Sequence, residues 1–324
     1  MKDTNKSSWS EVEAIVDAAD VLLVVLDARD PQRCKSKRLE RLVQQKKNKR
    51  IVYVLNKIDL VPRRNAEGWI KSLSQTYPTV ATSAMSSITE HPTAGIEELG
   101  EILVHFAAKT KKASITVGVV GYVSVGRSSL VKALKQSNKL STQKGSIKLN
   151  ETPATLPNTF GDGGGDNNNR KSQDIAGPVE LLLRSKIITP EELTSATESI
   201  VMRCKKETLL VNFALPMFDD GTEFLCHLAR QQGNILKGGV PDIVSTARSF
   251  LREITTLDKL PFYTSPPRGS SSPTTPLAST WIKEFGTSVK ASIQTLDSLS
   301  FPIDGKLAVV LTPQELQEDG EEDV

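Results

Sequence analysis

The sequence has few of the residues that build disulfide frameworks and metal centres. Only three cysteines and three histidines occur among 324 residues. Their spacing matches neither a disulfide-stapled fold nor a zinc site, and so few thiols favour a reducing compartment. The cysteines are most simply explained as buried or incidental thiols, and they are Cys34, Cys204 and Cys226.

Long apolar runs are also missing from the sequence. No stretch has the length and apolarity of a membrane-spanning helix, and the start Met1-Lys2-Asp3 lacks the pattern of a signal peptide. We therefore expect no membrane partner and a location in the nucleocytoplasmic space.

The composition is that of a chain able to bury a large core. It is 38% hydrophobic and 24% charged, and its length suffices for an α/β core with a second, smaller lobe. Apolar strand patterns alternate with helical ones, which predicts a doubly wound parallel sheet. The predicted helices are Trp9–Ala19, Ala66–Thr76, Gly95–Ala108 and Ser128–Leu134.

A polar tetrapeptide follows the first clear strand pattern after residue 50. Residues 51–55 are β-branched and apolar, as in a buried parallel strand, and Asn56-Lys57-Ile58-Asp59 begins where such sheets bind ligands. A carboxylate at Asp59 can accept two hydrogen bonds from guanine, which adenine cannot donate. Asn56 would brace the neighbouring loop and the base, and the Lys57 stem would cover the ring. A strand end with a polar turn is the alternative.

A second loop is expected beside the first. Thr82-Ser83-Ala84 follows a predicted strand at 78–81. It is similar to the loop that supports guanine O6 through a backbone amide. Ser83 and Ala84 are therefore included in the predicted nucleotide site.

A glycine-containing loop joins a later strand and helix. The strand pattern Ile115–Val120 precedes Gly121-Tyr122-Val123-Ser124-Val125-Gly126-Arg127-Ser128, and a helical pattern follows. Such a loop wraps phosphates with backbone N–H groups and directs a helix amino terminus at them. A strand-to-helix turn that binds no nucleotide is the alternative.

This loop departs from the phosphate-loop pattern at one position. Gly121, Gly126 and Ser128 match it, but Arg127 replaces the required lysine. Arginine is a wider planar fork, so the exchange is not conservative in a tightly wrapped loop. Ser128 could still ligate Mg²⁺, and Ser129 is included in the predicted phosphate site.

The two motifs occur in the reverse of the usual order. The guanine-reading tetrapeptide at 56–59 precedes the phosphate loop at 121–128, whereas ordinary GTPases have the phosphate loop first. This order predicts a circularly permuted P-loop GTPase domain.

Six segments together resemble the nucleostemin-like family of circularly permuted nucleolar GTPases. The resemblance covers roughly residues 9–267. The segments are Val21–Pro31, Asn56–Pro62, Gly177–Glu180, Thr222–Leu225, Gly238–Asp242 and Pro261–Pro267.

The resemblance implies GTP or GDP and Mg²⁺ as ligands, and it also exposes departures at the γ-phosphate end. The family carries a D-x-P-G motif whose aspartate holds Mg²⁺ through water and whose glycine N–H meets the γ-phosphate. The counterpart here begins with Glu151 and ends with Ala154, and alanine adopts glycine's backbone angles less readily. Thr142 is only a candidate for the threonine that binds Mg²⁺. Guanine recognition is thus retained in the sequence, while the hydrolytic half is eroded.

The family resemblance also implies partners and a location. It suggests a nuclear and nucleolar protein that associates with pre-60S ribosomal particles, ribosomal RNA and nucleolar proteins. Ten Lys or Arg residues against two acids lie between Arg29 and Arg50, and such a basic face can bind RNA phosphates. A solvated helix face is the alternative. The basic amino-terminal arm usual in the family is not seen before residue 9, so we expect either a truncated sequence or targeting by the internal stretch.

The chain is predicted to divide into three parts. Residues 1–177 form the GTPase domain, with a polar, glycine-rich insert at 161–172 that is expected to be disordered. Residues 178–267 form a helical lobe, and 268–324 a mobile tail with one short helix near 281–285.

Two functions remain open on the sequence alone. The first is a guanine-nucleotide switch with weak hydrolysis, acting in assembly of the large ribosomal subunit. The second is a pseudo-GTPase that serves as a scaffold for RNA or protein. The departures at Arg127, Glu151 and Ala154 distinguish them and favour poor hydrolysis.

Overall fold

The computed structural model describes the chain in segments that are separated by gaps. The described residues are 9–46, 48–84, 94–110, 112–137, 147–150, 153–156, 179–183, 188–255, 261–267, 296 and 308–311. Of the sequence predictions, the insert at 161–172, the helix near 281–285, Thr142 and Glu151 lie outside them.

A parallel sheet forms the centre of the first lobe. Its strands run in the order β3, β2, β1, β4 and β5, and β6 also pairs with β4. Every pairing in this sheet is parallel. The strands are β1 (Val21–Asp27), β2 (Arg50–Asn56), β3 (Thr79–Thr82), β4 (Ile115–Gly121), β5 (Ile147–Leu149) and β6 (Ala154–Thr155).

The central strands are buried along nearly their whole length, which explains their continuous apolar sequences. All seven residues of β1 are buried, as are six of the seven in β2. A strand covered on both faces requires such uninterrupted apolar runs. The predicted α/β class and parallel sheet are confirmed.

Five helices accompany these strands among the described residues. The four helices predicted for this part of the chain are present, with ends shifted by three residues or fewer. They are α1 (Trp9–Ala18), α2 (Lys37–Gln44), α3 (Arg63–Leu73), α4 (Ile96–Lys109) and α5 (Arg127–Gln136). A buried set of aliphatic and aromatic side chains from these elements forms the first core.

A second core is helical. Aromatic rings meet at its centre, where Phe224 lies 5.3 Å from Phe250 and 5.9 Å from Phe213 between ring centroids. Its elements are a 3-10 helix (Val179–Leu183), α6 (Pro190–Arg203), α7 (Lys206–Phe213), α8 (Gly221–Gln232) and α9 (Ile243–Thr255). The helical character predicted for this part of the chain is present, while its exact limits at 178 and 267 stay a prediction.

Parts of the segment predicted as a mobile tail are buried. Strand β8 (Val309–Leu311) pairs in parallel with β7 (Phe262–Thr264), and its first and last side chains are fully buried in the second core. Leu296 is fully buried in the first core. For these residues the tail prediction is wrong, because a short apolar, β-branched run finds a strand partner that is distant in sequence.

The basic stretch contributes to folding at the amino end of the sheet. The Lys49 ammonium donates to the carbonyl oxygens of Asp17 and Ala19, each at 2.6 Å. Asp17 lies in the last turn of α1, and Ala19 follows the helix. A cation at this end bonds to carbonyl oxygens that have no acceptor role within the helix. Lys46 pairs with the Asp17 carboxylate. The stretch is therefore partly occupied within the chain.

None of the helices in the described part of the chain is long and apolar enough to cross a membrane.

Candidate functional site

The carboxyl ends of the parallel strands bring the predicted motifs together. The register aligns Asp27 with Asn56, Asn56 with Thr82, and Val25 with Gly121. Parallel strands end at a common edge, so the guanine-reading and phosphate-binding loops leave the sheet side by side.

Asn56 is the centre of a hydrogen-bond network between three loops. Its amide nitrogen donates to the Val125 carbonyl at 2.8 Å, across 69 residues of sequence. Its amide oxygen accepts from the Thr82 hydroxyl at 3.2 Å and from the Ala84 N–H at 3.1 Å. The side chain is 2% exposed, so these bonds replace water. Asn56 therefore fixes the phosphate loop against both loops predicted to hold guanine.

Asp59 is oriented by the second guanine loop. The Ser83 hydroxyl donates to its carboxylate at 2.6 Å, while Ser83 itself is held by a backbone bond to Ala94 at 3.0 Å. Asp59 remains partly exposed. Its other lone pairs can accept from a base that enters beside Ala84.

Glycine is required at Gly126 of the phosphate loop. Its φ of +97° lies in the left-handed region, and a Cβ there would overlap the Asn56 amide nitrogen. Gly126 is also the residue that precedes α5. The close approach of this backbone to Asn56 therefore depends on the absence of a side chain. Gly121 is buried, and a Cβ there would lie 2.9 Å from the Val25 carbonyl oxygen.

Arg127 contacts the segment that follows the incomplete switch motif. Its guanidinium donates to the Thr155 hydroxyl at 2.6 Å. Burial lowers the pKa of Arg127 to about 10, so the group is protonated at neutral pH. In this orientation Arg127 ties α5 to β6.

The remaining phosphate-site residues lie at the start of α5 and in β6. Ser128 is exposed in the first turn of α5, and Ser129 is half-buried. Ala154 is 4% exposed and pairs with Val120, so its methyl group belongs to the core. The exposed hydroxyl of Ser128 at a helix amino terminus fits a Mg²⁺ ligand. Among the described residues, no group of three or more His, Cys, Asp or Glu side chains could hold a metal ion.

Lys57 makes a contact that the sequence did not predict. Its ammonium donates to Asp27 at 2.8 Å and lies 3.5 Å from Glu180. Arg29 binds the same two carboxylates, with bonds of 3.0 and 2.7 Å to Asp27. We call Asp27, Arg29, Lys57 and Glu180 the inter-lobe charge cluster. Asp27 and Arg29 lie in the segment Val21–Pro31, and Glu180 lies in Gly177–Glu180. Both segments support the family resemblance, but the sequence indicates no role for these side chains.

Asp27 and Arg29 are buried while Lys57 and Glu180 are partly exposed, and the opposite charges of the cluster stabilise each other. Burial by itself raises the pKa of the Asp27 carboxyl, but Arg29 and Lys57 outweigh it and hold that pKa well below the usual range. Burial disfavours the charged form of Arg29, yet Asp27 and Glu180 raise its pKa above the ordinary value. Asp27 and Arg29 are therefore both charged at neutral pH, because opposite charges this close favour the ionised forms.

Two solved structures are similar in fold, and no family model matches the chain. They are GDP-bound and GNP-bound YlqF from T. maritima, with TM-scores of 0.45 and 0.47 and sequence identities of 18% and 19%. The matches cover 75% and 76% of this chain and 93% and 92% of those chains.

Curated relatives match most of the chain. The guanine nucleotide-binding protein-like 3 homolog of Caenorhabditis elegans is 33% identical over 297 residues, 82% of this chain and 51% of its own. Nuclear/nucleolar GTPase 2 of Oryza sativa subsp. indica is 33% identical over 280 residues, 84% of this chain and 51% of its own. The nucleolar GTP-binding protein 2 of Eremothecium gossypii is 33% identical over 293 residues, 85% of this chain and 54% of its own. The chain thus spans about half the length of these relatives. Over the matched region, it belongs to the nucleostemin-like family of circularly permuted GTP-binding proteins.

Proposed function

We propose that this chain binds GTP and GDP with Mg²⁺ and acts in the nucleolus as a guanine-nucleotide-regulated factor in assembly of the large (60S) ribosomal subunit. One observation carries the nucleotide assignment. Asn56 donates to Val125 of the phosphate loop and accepts from Ala84 of the second guanine loop, and Asp59 accepts from Ser83 of that same loop. A turn without a ligand has no need of an amide that connects these three loops.

Base recognition rests on Asp59. Its carboxylate is held by Ser83, which limits the orientations available to it before a base arrives. A pre-oriented carboxylate that loses water on binding favours a base with two donors and penalises one without them. This supports guanine over adenine.

We expect Asp59→Asn to reverse this preference. The amide presents a donor where guanine also donates, so affinity for GDP should fall by about 10- to 100-fold, as for a lost hydrogen bond to a charged group. Affinity for xanthosine diphosphate should rise. A fluorescent-nucleotide titration, with and without Mg²⁺, measures both, and the exposed Asp219→Asn is the control. Equal binding of GDP and ADP by the unmodified chain would refute the assignment.

Magnesium and the phosphates would be held at the start of α5. Ser128 supplies a hydroxyl for Mg²⁺, the loop from Gly121 to Gly126 supplies N–H groups, and Arg127 supplies a positive charge. The metal, when bound, neutralises charge on the β- and γ-phosphates. The chain's own contribution is to position these groups, because this class of reaction depends on geometry more than on covalent chemistry.

Hydrolysis is expected to be slow, and a single repair should not restore it. Arg127 is engaged with Thr155, and the buried Ala154 replaces a glycine of the family motif. We expect Arg127→Lys to tighten nucleotide binding modestly. Only the triple change with Glu151→Asp and Ala154→Gly should raise turnover, by about 10-fold or more. Single-turnover GTP hydrolysis decides this, with Arg127→Lys alone as the control. Robust turnover by the unmodified chain would mean that the catalytic groups lie elsewhere.

A pseudo-GTPase scaffold is the second candidate. The bond from Arg127 to Thr155 favours it, because it engages the side chain that stands in the place of the phosphate-binding lysine. The same titration separates the two functions. A scaffold would show no Mg²⁺-dependent preference for GTP over GDP.

Ribosomal RNA and nucleolar proteins are the proposed partners. Relatives are named as a nuclear/nucleolar GTPase and a nucleolar GTP-binding protein, which supports this location. The basic stretch supports contact with RNA phosphates, although Lys46 and Lys49 also bond to α1.

We expect replacement of Lys46, Lys47, Lys49 and Arg50 with glutamine to weaken binding to all RNA sequences alike. Each lost phosphate contact should reduce the salt slope by about 0.7 to 0.9. Filter binding across a salt series measures the slope, and Lys205→Gln with Lys237→Gln is the control at exposed lysines. An unchanged slope in a folded variant would identify the stretch as a solvated face.

A further inference from the structure

The inter-lobe charge cluster joins the guanine-reading tetrapeptide to the second lobe. Lys57 lies within the tetrapeptide and Glu180 in the 3-10 helix of the second core. Asp27 is the last residue of β1, and Arg29 follows it. Glu180 is 151 residues from Arg29 in sequence. Its Oε1 atom contacts both cations. A single carboxylate of the second lobe thus contributes to the surroundings of the nucleotide loop.

The backbone of Lys57 needs such support. Its φ of +62° and ψ of +37° lie in the left-handed region, which is unfavourable for a residue with a side chain. Strained residues persist where the surroundings fix them. Here the ammonium is held by Asp27 and Glu180, and the Lys57 carbonyl accepts from Leu60 N–H at 3.0 Å. The conformation at Lys57 determines how Asn56 and Asp59 are presented to the base.

Arg29 connects the inter-lobe charge cluster to the second core through its side chain and its backbone. The Arg29 guanidinium lies 5.3 Å from the centroid of the Phe262 ring, which is fully packed in the second core. The backbone carbonyl oxygen of Arg29 accepts from Thr264 N–H at 2.7 Å. The Trp69 indole N–H donates to the Thr264 carbonyl, also at 2.7 Å. Arg29 is therefore rigidly connected to both cores, and a shift of the second lobe must move the charges around Lys57.

We propose that Glu180 is a positioning residue for the guanine site, so that nucleotide binding and docking of the second lobe favour each other. This inference rests on the proposed nucleotide function. Glu180 holds Lys57 in its left-handed conformation directly and through Arg29. Because coupling between two sites is reciprocal, nucleotide binding tightens the lobe, and a displaced lobe weakens nucleotide binding. A partner that binds the second lobe and changes its position would thereby change the rate of nucleotide release.

The first test measures affinity in the full chain. Glu180→Gln removes the charge while keeping the shape, and we expect it to weaken GDP binding by about 10-fold, within the usual range of coupling between sites. Glu207→Gln removes an exposed charge from the same lobe and should leave affinity unchanged. If the unmodified chain does not bind GDP, the proposed function fails. If it binds and Glu180→Gln binds equally well, only the coupling fails.

A double-mutant cycle separates positioning from general destabilisation. Lys57→Gln and Glu180→Gln should each weaken GDP binding, and the double variant should lose clearly less affinity than the sum of the two single losses, because both remove the contact between Lys57 and Glu180. Lys57→Gln combined with Glu207→Gln should be additive. Additive losses for Lys57 and Glu180 would overturn the proposal, even if both variants were less stable.

Hydrogen exchange tests the reciprocal effect. In the unmodified chain, GDP should slow amide exchange in the 3-10 helix at 179–183 as well as at 56–60. In Glu180→Gln the protection at 179–183 should be lost, while protection of the phosphate loop at saturating GDP persists. Exchange at 179–183 that does not respond to GDP in the unmodified chain would overturn the coupling.

Discussion

Gly126→Ala is expected to abolish measurable nucleotide binding and to destabilise the first lobe. An added Cβ would overlap the Asn56 amide, and the φ of +97° is itself unfavourable for alanine. Asn56 must then move, and it gives up its bonds to Val125 and Ala84. The loss of buried hydrogen bonds together with the strain should lower the free energy of unfolding by about 3 kcal/mol. Affinity for GDP should fall at least about 100-fold.

Gly238→Ala provides the matched control. Its φ of +93° is nearly the same, but nothing lies within 4 Å of an added Cβ. It should show only the backbone strain of about 1 kcal/mol and normal nucleotide binding. Urea unfolding and GDP titration of both variants measure the two effects. Equal behaviour of the two alanine variants would show that the contact between Gly126 and Asn56 has no special role.

Asp27→Asn is expected to be the most destabilising exchange of a single charge in the first lobe. The carboxylate is 1% exposed and accepts from Arg29 and Lys57 at 2.7 and 2.8 Å. Without it, the buried Arg29 and the partly exposed Lys57 share the single carboxylate of Glu180. Removing one partner of a buried ion pair costs about 3 to 5 kcal/mol. Urea unfolding at pH 7 measures the loss. Asp17→Asn, at an exposed pair with Lys46, should change stability by less than about 0.5 kcal/mol.

The contribution of Asp27 to the free energy of unfolding should decrease as the pH becomes acidic. Its pKa is depressed in the folded chain relative to about 3.9 when unfolded. The stabilisation is therefore fully present above about pH 4 and disappears as the pH falls toward the folded pKa. The difference between the unmodified chain and Asp27→Asn should be constant from about pH 5 to 8 and shrink below about pH 4. A difference that grows on acidification would contradict this assignment of charge.

Local sequence was sufficient for the sheet edge but not for the contacts between lobes. The tetrapeptide at 56–59 and the loop at 121–128 each follow a buried strand, and parallel strands end together, so their proximity could be predicted. Their roles toward nucleotide stay a prediction. The cluster formed by Asp27, Arg29 and Glu180 could not be predicted, because no periodicity or motif spacing connects residues 151 positions apart. Asp27 at a strand end was the one available signal.

The same limit explains the error at the carboxyl-terminal segment. Its composition, rich in Ser, Thr and Pro, predicts a mobile chain, and the three apolar residues from Val309 are too few to stand out. Their strand exists because β7 offers an unpaired edge. Short strands depend on a partner distant in sequence and leave little local pattern.

The late return of the chain to both cores affects the order in which the protein can fold during synthesis. One of the fully buried side chains of the first core, Leu296, is made late in synthesis. The second core lacks the strand β8 until Leu311 is made. Domains usually fold as units, amino-terminal first, as they leave the ribosome. Here the core around the parallel sheet is not complete until Leu296 is made, and position 296 minus position 121 at the end of β4 is 175 residues of further synthesis. Nascent chains of this protein should therefore depend on chaperones longer than a chain built from two consecutive domains would.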